Sequence, residues 1–450
     1  MKFFLLLATS CLTLVLIIGF WSITSSGYDR QNKLILTLKE IIPSDLAREV
    51  RDVIFFIPNL KNRNKFLSLQ VEKYEQGLNG QLFKEKEKIK SNKNIEFEIS
   101  EFFLPFPRLD TRLGWAATEN SRRAHYLEVL NDKVLVISGI GQTIFFDKKN
   151  IFSKQLNQNN IPNNLSSYLK KNNYKLIGIR DLFVNDDYVY ISVQHKDDKG
   201  FTINVYRSKL NYEKLSFEPF FITNEYWPTY NVYSGGRLEK YKENEILFSI
   251  GFSGVKNAAQ NKDSLLGKII SINQITSKHK IISTGHRNPQ GLFYEKSKDL
   301  IINTEHGPKG GDEVNLNFIK KNSIPNYGWA IASYGVPYGS AKDTFKKSHS
   351  KHGFVEPFKY YTPSIGISEV VNLVPNKKLN RNFNTLFVSS LRAGSIYIIE
   401  TDKEIKKIIK EDRLYFNEQR LRDIEYDSEL DIFFILFEYT PSIGILKYSS

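Results

Sequence analysis

The 450-residue chain carries 63 Lys and Arg against 49 Asp and Glu, a formal charge of +14, and is 41% apolar and 13% aromatic. That content supports one large core or two to three smaller ones and excludes a disordered chain. The charge favours anionic partners. The lysines are nevertheless spread along the chain without a basic stripe or recognition motif, which excludes nucleic acid as the partner, and the single cysteine, Cys11, excludes a disulfide framework and a cysteine metal centre.

The first predicted element is the uncharged run from Phe3 to Ile23, "FFLLLATSCLTLVLIIGFWSI". As a helix rising about 1.5 Å per residue it crosses roughly 30 Å of hydrocarbon, so residues 1–25 are expected to form a signal-anchor or transmembrane segment. The run is longer than a signal-peptide core and lacks a clean small-x-small cleavage site. "ATSC" resembles a lipoprotein cleavage box, but the apolar run continues past Cys11 to Phe20, which favours a retained span. Lys2 precedes it and Arg30, Lys33 and Lys39 follow it, so charge asymmetry alone does not set the orientation.

Residues 26–94 read as a helical stalk and linker. Ser44 or Asp45 caps a helix, Pro58 kinks or breaks it, and Gly77 and Gly80 end it. "KEKEKIKSNKN", Lys84 to Asn94, reads as a linker or a solvated helix end. Such a stalk either self-associates into a homo-oligomer or serves as a monomeric spacer.

From Ile95 to Ser450 the texture changes to short β-rich runs: "KVLVISG", "QTIFFD", "DYVYISVQ", "EILFSIGF", "LIINT", "TLFVSS", "SIYIIE" and "DIFFILFE". No long amphipathic helix interrupts them, which argues against a parallel α/β sheet. Some twenty such strands fit an all-β body, a propeller of six four-stranded blades, better than a sandwich.

Two dense clusters flank the run "LIINT": "GHRNPQGL" from Gly285 and "EHGPKGGDEVN" from Glu305, followed by "NYGW". In order and spacing they resemble the glucose/sorbosone (aldose sugar) dehydrogenases that use pyrroloquinoline quinone, PQQ. "FVSSLRAGSIYIIE" and "RLRDIEYDSELDIFFILFE" extend the resemblance to the C-terminus. It implies a six-bladed propeller with PQQ on one face, oxidation of an aldose-type sugar substrate, and work outside the cytoplasmic membrane. The expected place is thus the inner membrane, single-pass, with the body facing the periplasm and an electron acceptor that the sequence does not identify.

The residue types suit that cofactor. PQQ is a flat tricarboxylate bearing an ortho-quinone, and Arg offers a planar, permanently charged fork for carboxylates. By resemblance Arg287, Asn288, Arg420 and Arg422 match cofactor contacts, Arg392 stands where the family often has Lys, and His306 lines the cofactor pocket. Gly307 and Pro308 match positions that offer backbone carbonyls to Ca²⁺, a hard ion that takes oxygen ligands. Asp312 and Glu313 hold that loop or add negative charge. His286 is either structural or part of the pocket, and the remaining histidines have no context that singles them out.

One box departs from the family. The resemblance implies a histidine that removes the proton from the sugar's anomeric hydroxyl, but the matching box here reads "YSGGRL", with Tyr233 in its place. A phenol, with an ordinary pKa near 10, is a poorer base than imidazole by about three units, or ~4 kcal/mol at neutral pH. General-base catalysis is worth about 10² to 10⁴ in rate. Nor does "KLIGIRDLFVNDDYVYISV" supply a glutamine where the family has one near the quinone. Two expectations follow: a PQQ- and calcium-dependent sugar dehydrogenase with Tyr233 at the base position, or a catalytically degenerate propeller that binds a ligand or partner on the same face.

Overall fold

The computed structural model describes residues 79–106, 124–255, 257–320, 323–338, 345–374, 383–417 and 419–449. The predicted membrane segment and almost all of the predicted stalk helix lie outside these residues. Among the described residues, no helix is long and apolar enough to cross a membrane.

Twenty-five described strands form six antiparallel sheets. β1 (Leu82–Lys90) and β2 (Glu96–Phe103) come first and await partners from the other end of the chain. The next sheet is β3 (His125–Val129), β4 (Lys133–Ser138), β5 (Thr143–Asp147) and β6 (Asn159–Ile161). After helix α1 (Leu165–Lys171) comes the second blade: β7 (Lys175–Asn185), β8 (Tyr188–Lys196), β9 (Phe201–Lys209) and β10 (Glu218–Ile222). The third holds β11 (Gly235–Lys240), β12 (Glu245–Ile250), β13 (Lys268–Asn273) and β14 (His279–Thr284). The fourth holds β15 (Pro289–Glu295), β16 (Leu300–Glu305), β17 (Asp312–Phe318) and β18 (Lys359–Tyr361). The fifth holds β19 (Ile367–Leu373), β20 (Asn384–Ser390), β21 (Ser395–Thr401) and β22 (Ile408–Tyr415). β23 (Leu421–Asp427), β24 (Ile432–Phe437) and β25 (Ser442–Tyr448) then return to the start, in the order β1-β2-β25-β24-β23. The leading strands β3, β7, β11, β15, β19 and β23 touch one another in a closed ring. This is the six-bladed β-propeller the strand count pointed to, with the first two and the last three described strands woven into one blade.

The charged stretch from Lys84 is a correction to the sequence reading. Lys84 to Lys90 belongs to β1, the fifth and outermost strand of the last blade, and not to a linker or helix end. Its inward anchors are few: Phe83 stacks on Phe103 at 4.1 Å, and Ile89 packs on the core between the last two blades. An alternation of Lys and Glu is what keeps an open sheet edge from pairing with another chain, and by composition alone it looks like a linker. At its far end Ser91 Oγ donates to Asp412 Oδ2 (2.5 Å) and Lys93 N to Asp412 Oδ1 (3.0 Å), which straps the edge to the neighbouring blade.

The core is divided into six apolar layers, one between each pair of adjacent blades. Ile203, Phe248 and Ile270 join the second and third, for instance, and Phe387, Phe433 and Leu446 join the fifth and sixth. The middle strands of a blade are therefore covered on both faces. β20, β24 and β16 are buried along their whole length, which is why these runs read as continuous apolar segments.

Candidate functional site

In each blade the second strand runs antiparallel to the first, so the entry to the first strand and the turn between the second and third lie at one end. Tyr233 precedes β11, Arg287 and Asn288 precede β15, and Arg420 and Arg422 stand at the entry to β23. His306, Gly307 and Pro308 occupy the β16–β17 turn, and Arg392 the β20–β21 turn. All the site residues expected from the sequence thus come to one face of the ring, around the channel mouth.

The channel beneath them is closed by a charge network that the sequence reading did not find. Arg237 on β11 pairs with Asp181 of β7 (2.7 Å), Glu369 of β19 (2.9 Å) and Asp423 of β23 (2.9 Å). It also donates to the Gln290 and Arg422 carbonyls, at 2.7 and 3.2 Å. Each carboxylate further accepts a backbone N–H from a neighbouring blade: Asp181 from Leu238, Glu369 from Leu292 and Asp423 from Leu127. Burial pushes the Asp181 carboxyl up to about 7 and that of Glu369 up to about 8, against the opposing pull of Arg237. The Arg of the "YSGGRL" box is therefore an axial tie. Its Gly236 serves the same architecture: φ is +124°, and a Cβ there would lie 2.3 Å from the Arg180 Cβ.

Above the tie, Arg420 Nε and Arg422 Nε each meet one oxygen of Glu438 at 2.7 Å. Glu438 is fully buried, so one carboxylate braces both arginines. Arg422 Nη1 also donates to Gln290 Oε1 at 3.0 Å. Arg392 is exposed at the mouth, on a turn whose amide N donates to Ile365 O. Glu438 closes the run "DIFFILFE" and offered no signal in the sequence beyond ending an apolar strand.

Arg287 is placed differently. Its guanidinium lies over the rings of Tyr233 (4.5 Å), Trp329 (5.1 Å) and Phe252 (5.9 Å), and Nη1 donates to His306 O at 2.8 Å. The neighbouring Asn288 is buried, and its Oδ1 accepts from Gly235 N at 3.1 Å, tying the fourth blade to the glycine box. Tyr233 is half-buried, with its ring stacked on Phe252 at 5.5 Å. Its hydroxyl makes no hydrogen bond to a described residue. Gln194, one residue past "KLIGIRDLFVNDDYVYISV", reaches this corner. Its Oε1 accepts from Ser234 Oγ (3.3 Å) and from Arg180 Nη2, and its Nε2 donates to Asn231 O (3.3 Å).

The β16–β17 turn is held from below. Asp312 Oδ1 accepts from Gly307 N (3.0 Å), and Oδ2 accepts from Gly366 N (2.7 Å) and Ile367 N (3.1 Å). Although burial opposes ionisation, His306 and these amides hold the Asp312 carboxyl below the usual carboxylate range. Asp312 is therefore the loop's staple. Gly307 is required there, because a Cβ would sit 2.0 Å from Gly311 O. His286 is completely buried between Ser283 (2.8 Å) and Glu305 (3.2 Å), a structural position. Burial and the nearby Glu305 push Glu313 well up, and burial pushes His349 down. These residues and His306, Arg287 and Trp329 line a cavity of about 10 Å³, room for roughly one water.

A cation of the calcium kind would find carbonyls here rather than carboxylates. Among the described residues there is no cluster of three or more His, Cys, Asp or Glu able to hold a metal. Among the described residues the Pro308 carbonyl accepts only from the Ser364 hydroxyl, at 3.3 Å, and the Gly307 carbonyl takes no hydrogen bond. The donor set fits a hard ion whose remaining ligands are waters and ligand oxygens.

Comparison with known proteins bears on this face directly. The model of the glucose/sorbosone dehydrogenase family matches residues 176–440, which contain every one of the residues just described at the mouth. An uncharacterised protein of Synechocystis is 29% identical over 273 residues, 55% of this chain and 64% of the relative. An aldose sugar dehydrogenase of Escherichia coli is 26% identical over 204 residues, 42% of this chain and 53% of the relative. The chain thus spans between half and two thirds of the length of these relatives. Among solved structures, a glucose dehydrogenase superposes with TM-score 0.61 at 20% identity, covering 73% of this chain and 98% of that one. The PQQ-bound aldose sugar dehydrogenase of Streptomyces coelicolor superposes with TM-score 0.50 at 17% identity, covering 72% and 98%. At such identities the superpositions speak for the fold, whereas the family match runs across more than half the chain, through the strands and turns that build the mouth. The chain belongs to the glucose/sorbosone dehydrogenase family.

Proposed function

We propose that the protein is a quinoprotein oxidoreductase that holds PQQ at the mouth of the propeller and oxidises an aldose-type sugar. The observation that carries this reading is the convergence of Arg287, Arg392, Arg420 and Arg422 on the one face of a family fold whose relatives include an aldose sugar dehydrogenase. Bound PQQ would supply an ortho-quinone able to accept the two electrons and the hydrogen of an alcohol oxidation. Arg420 and Arg422 would grip its carboxylates, their geometry fixed in advance by Glu438. Arg287 would add a cation held out of water by aromatic rings. The carbonyls of Gly307 and Pro308 support a Ca²⁺ site beside it. The N-terminal apolar run supports anchoring at the cytoplasmic membrane, and the family resemblance supports a propeller on the periplasmic side, where an external acceptor would take the electrons.

A second reading, binding without turnover, is favoured by one feature. Tyr233 stands at the family's base position with its ring packed between Phe252 and Arg287, and its hydroxyl has no described partner to relay a proton. Titration of the full chain with PQQ and Ca²⁺, followed by an aldose panel with an artificial electron acceptor, separates the two. Saturable PQQ binding with sugar oxidation supports the dehydrogenase, and PQQ binding without oxidation of any sugar supports the degenerate propeller. No PQQ binding at tens of micromolar ligand overturns both as statements about this cofactor.

A further inference from the structure

We propose that Tyr233 is one wall of an aromatic box that positions Arg287, and that this, not proton removal, is its contribution to the site. The ligand named in the test rests on the PQQ reading; the geometry does not. Three rings surround one guanidinium: Tyr233 at 4.5 Å, Trp329 at 5.1 Å and Phe252 at 5.9 Å from ring centre to the Arg287 Cζ. Tyr233 and Phe252 are stacked at 5.5 Å with 24° between planes, and Phe252 meets Trp329 edge to face at 5.2 Å and 71°. These are arrangements in which ring quadrupoles attract one another and a cation.

The box is tied by the main chain as well. Phe252 N donates to Arg287 O, Ser253 N to Tyr233 O and Trp329 N to Gly285 O, each at 2.9 Å. Three separate segments, the entry to β11, the β12–β13 connection and the segment after β17, are thereby fixed around the arginine. The side chain itself has one polar bond to a described residue, Nη1 to His306 O, and its buried Nε has no partner among the described residues. A guanidinium so held keeps its charge and loses its rotamer freedom before any ligand arrives, which lowers the cost of binding an anion. The phenol hydroxyl plays no part in this arrangement; the ring face does.

The test uses the full chain and two substitutions of the same residue. Tyr233→Phe keeps the ring and is expected to bind PQQ within about threefold of the native affinity, while Tyr233→Leu is expected to lose roughly tenfold or more. Equal losses in both variants, or native affinity in Tyr233→Leu, overturn the proposal. A second readout needs no ligand. In chain labelled with ¹⁵N-arginine, the Nε–Hε signal that disappears in Arg287→Lys is expected to be displaced by ring currents. The displacement is expected to persist in Tyr233→Phe and to shrink in Tyr233→Leu. A signal at the ordinary guanidinium position in the native chain overturns the box even if PQQ binds. A displaced signal in a chain that binds no PQQ upholds the box and counts against the cofactor reading alone.

Discussion

Arg237 and Arg287 are equally buried, each 5% exposed, yet they keep different company. Arg237 lies over one ring, Tyr126 at 5.0 Å, but is otherwise met by three carboxylates and two carbonyls drawn from several blades. Arg287 is ringed by three aromatic faces and a single carbonyl. A cation whose fork is already saturated by fixed carboxylates has nothing left for a ligand, so Arg237 is architecture. A cation sheltered by rings is held in place without being neutralised, so Arg287 remains a group that an anion can complete. Burial alone does not distinguish a structural arginine from a binding one; the sign of its surroundings does.

The sharpest way to break this comparison is to remove each arginine in turn. Arg237→Met leaves Asp181, Glu369 and Asp423 facing one another across the axis, and stripping one partner from a buried ionic group costs about 3–5 kcal/mol. Chemical denaturation should show that loss, whereas Arg287→Met, which strands no carboxylate, should lose no more than about 1 kcal/mol. Similar losses for the two would erase the distinction. Next in size is the mouth. Arg420→Ala should weaken PQQ binding roughly 10²-fold in a calorimetric titration, because a charge-assisted bond worth about 1.5–3 kcal/mol goes and Glu438 loses its ion pair with Arg420. An unchanged affinity would assign Arg420 to the architectural class with Arg237.

The axis also predicts a pH response. Asp181 and Glu369 titrate at about 7 and about 8 in the fold, against about 4 in an unfolded chain. Between about pH 4 and 8 the folded state therefore holds protons that the unfolded state has released, so stability should fall as pH rises through that window. Thermal melting from pH 5.5 to 8.5 should show a steady decline, and a flat profile would mean that Arg237 keeps Asp181 and Glu369 ionised throughout. The smallest effect is expected at the edge strap. Asp412→Asn weakens the bonds from Ser91 and Lys93 and should cost about 1 kcal/mol by denaturation, without altering PQQ affinity.

Much of the fold was legible because the middle strands are covered on both faces. "LIINT", "TLFVSS" and "DIFFILFE" lie within or across strands buried along their full length, and continuous burial writes continuous apolar sequence. The first strands were harder to read because they turn charged residues toward the channel: Asp181, Arg237, Glu369 and Asp423 interrupt the pattern that would have marked them. β1 was misread for a related reason, since an edge strand is protected by the same Lys and Glu that make a linker soluble.

The candidate site divides along the same line. Sequence by itself determined the family boxes, the arginines that converge on the mouth and the absence of the expected histidine, because motif identity and spacing are properties of the chain. Only the tertiary structure decided what each of those residues can do. It made Arg237 an axial tie, His286 a buried structural residue and Asp312 a loop staple, and it brought Glu438 and Gln194 to places no spacing foretold. The physical reason is that a side chain's role depends on which charges and ring faces surround it. In a closed ring of blades those surroundings come from strands far apart in the chain.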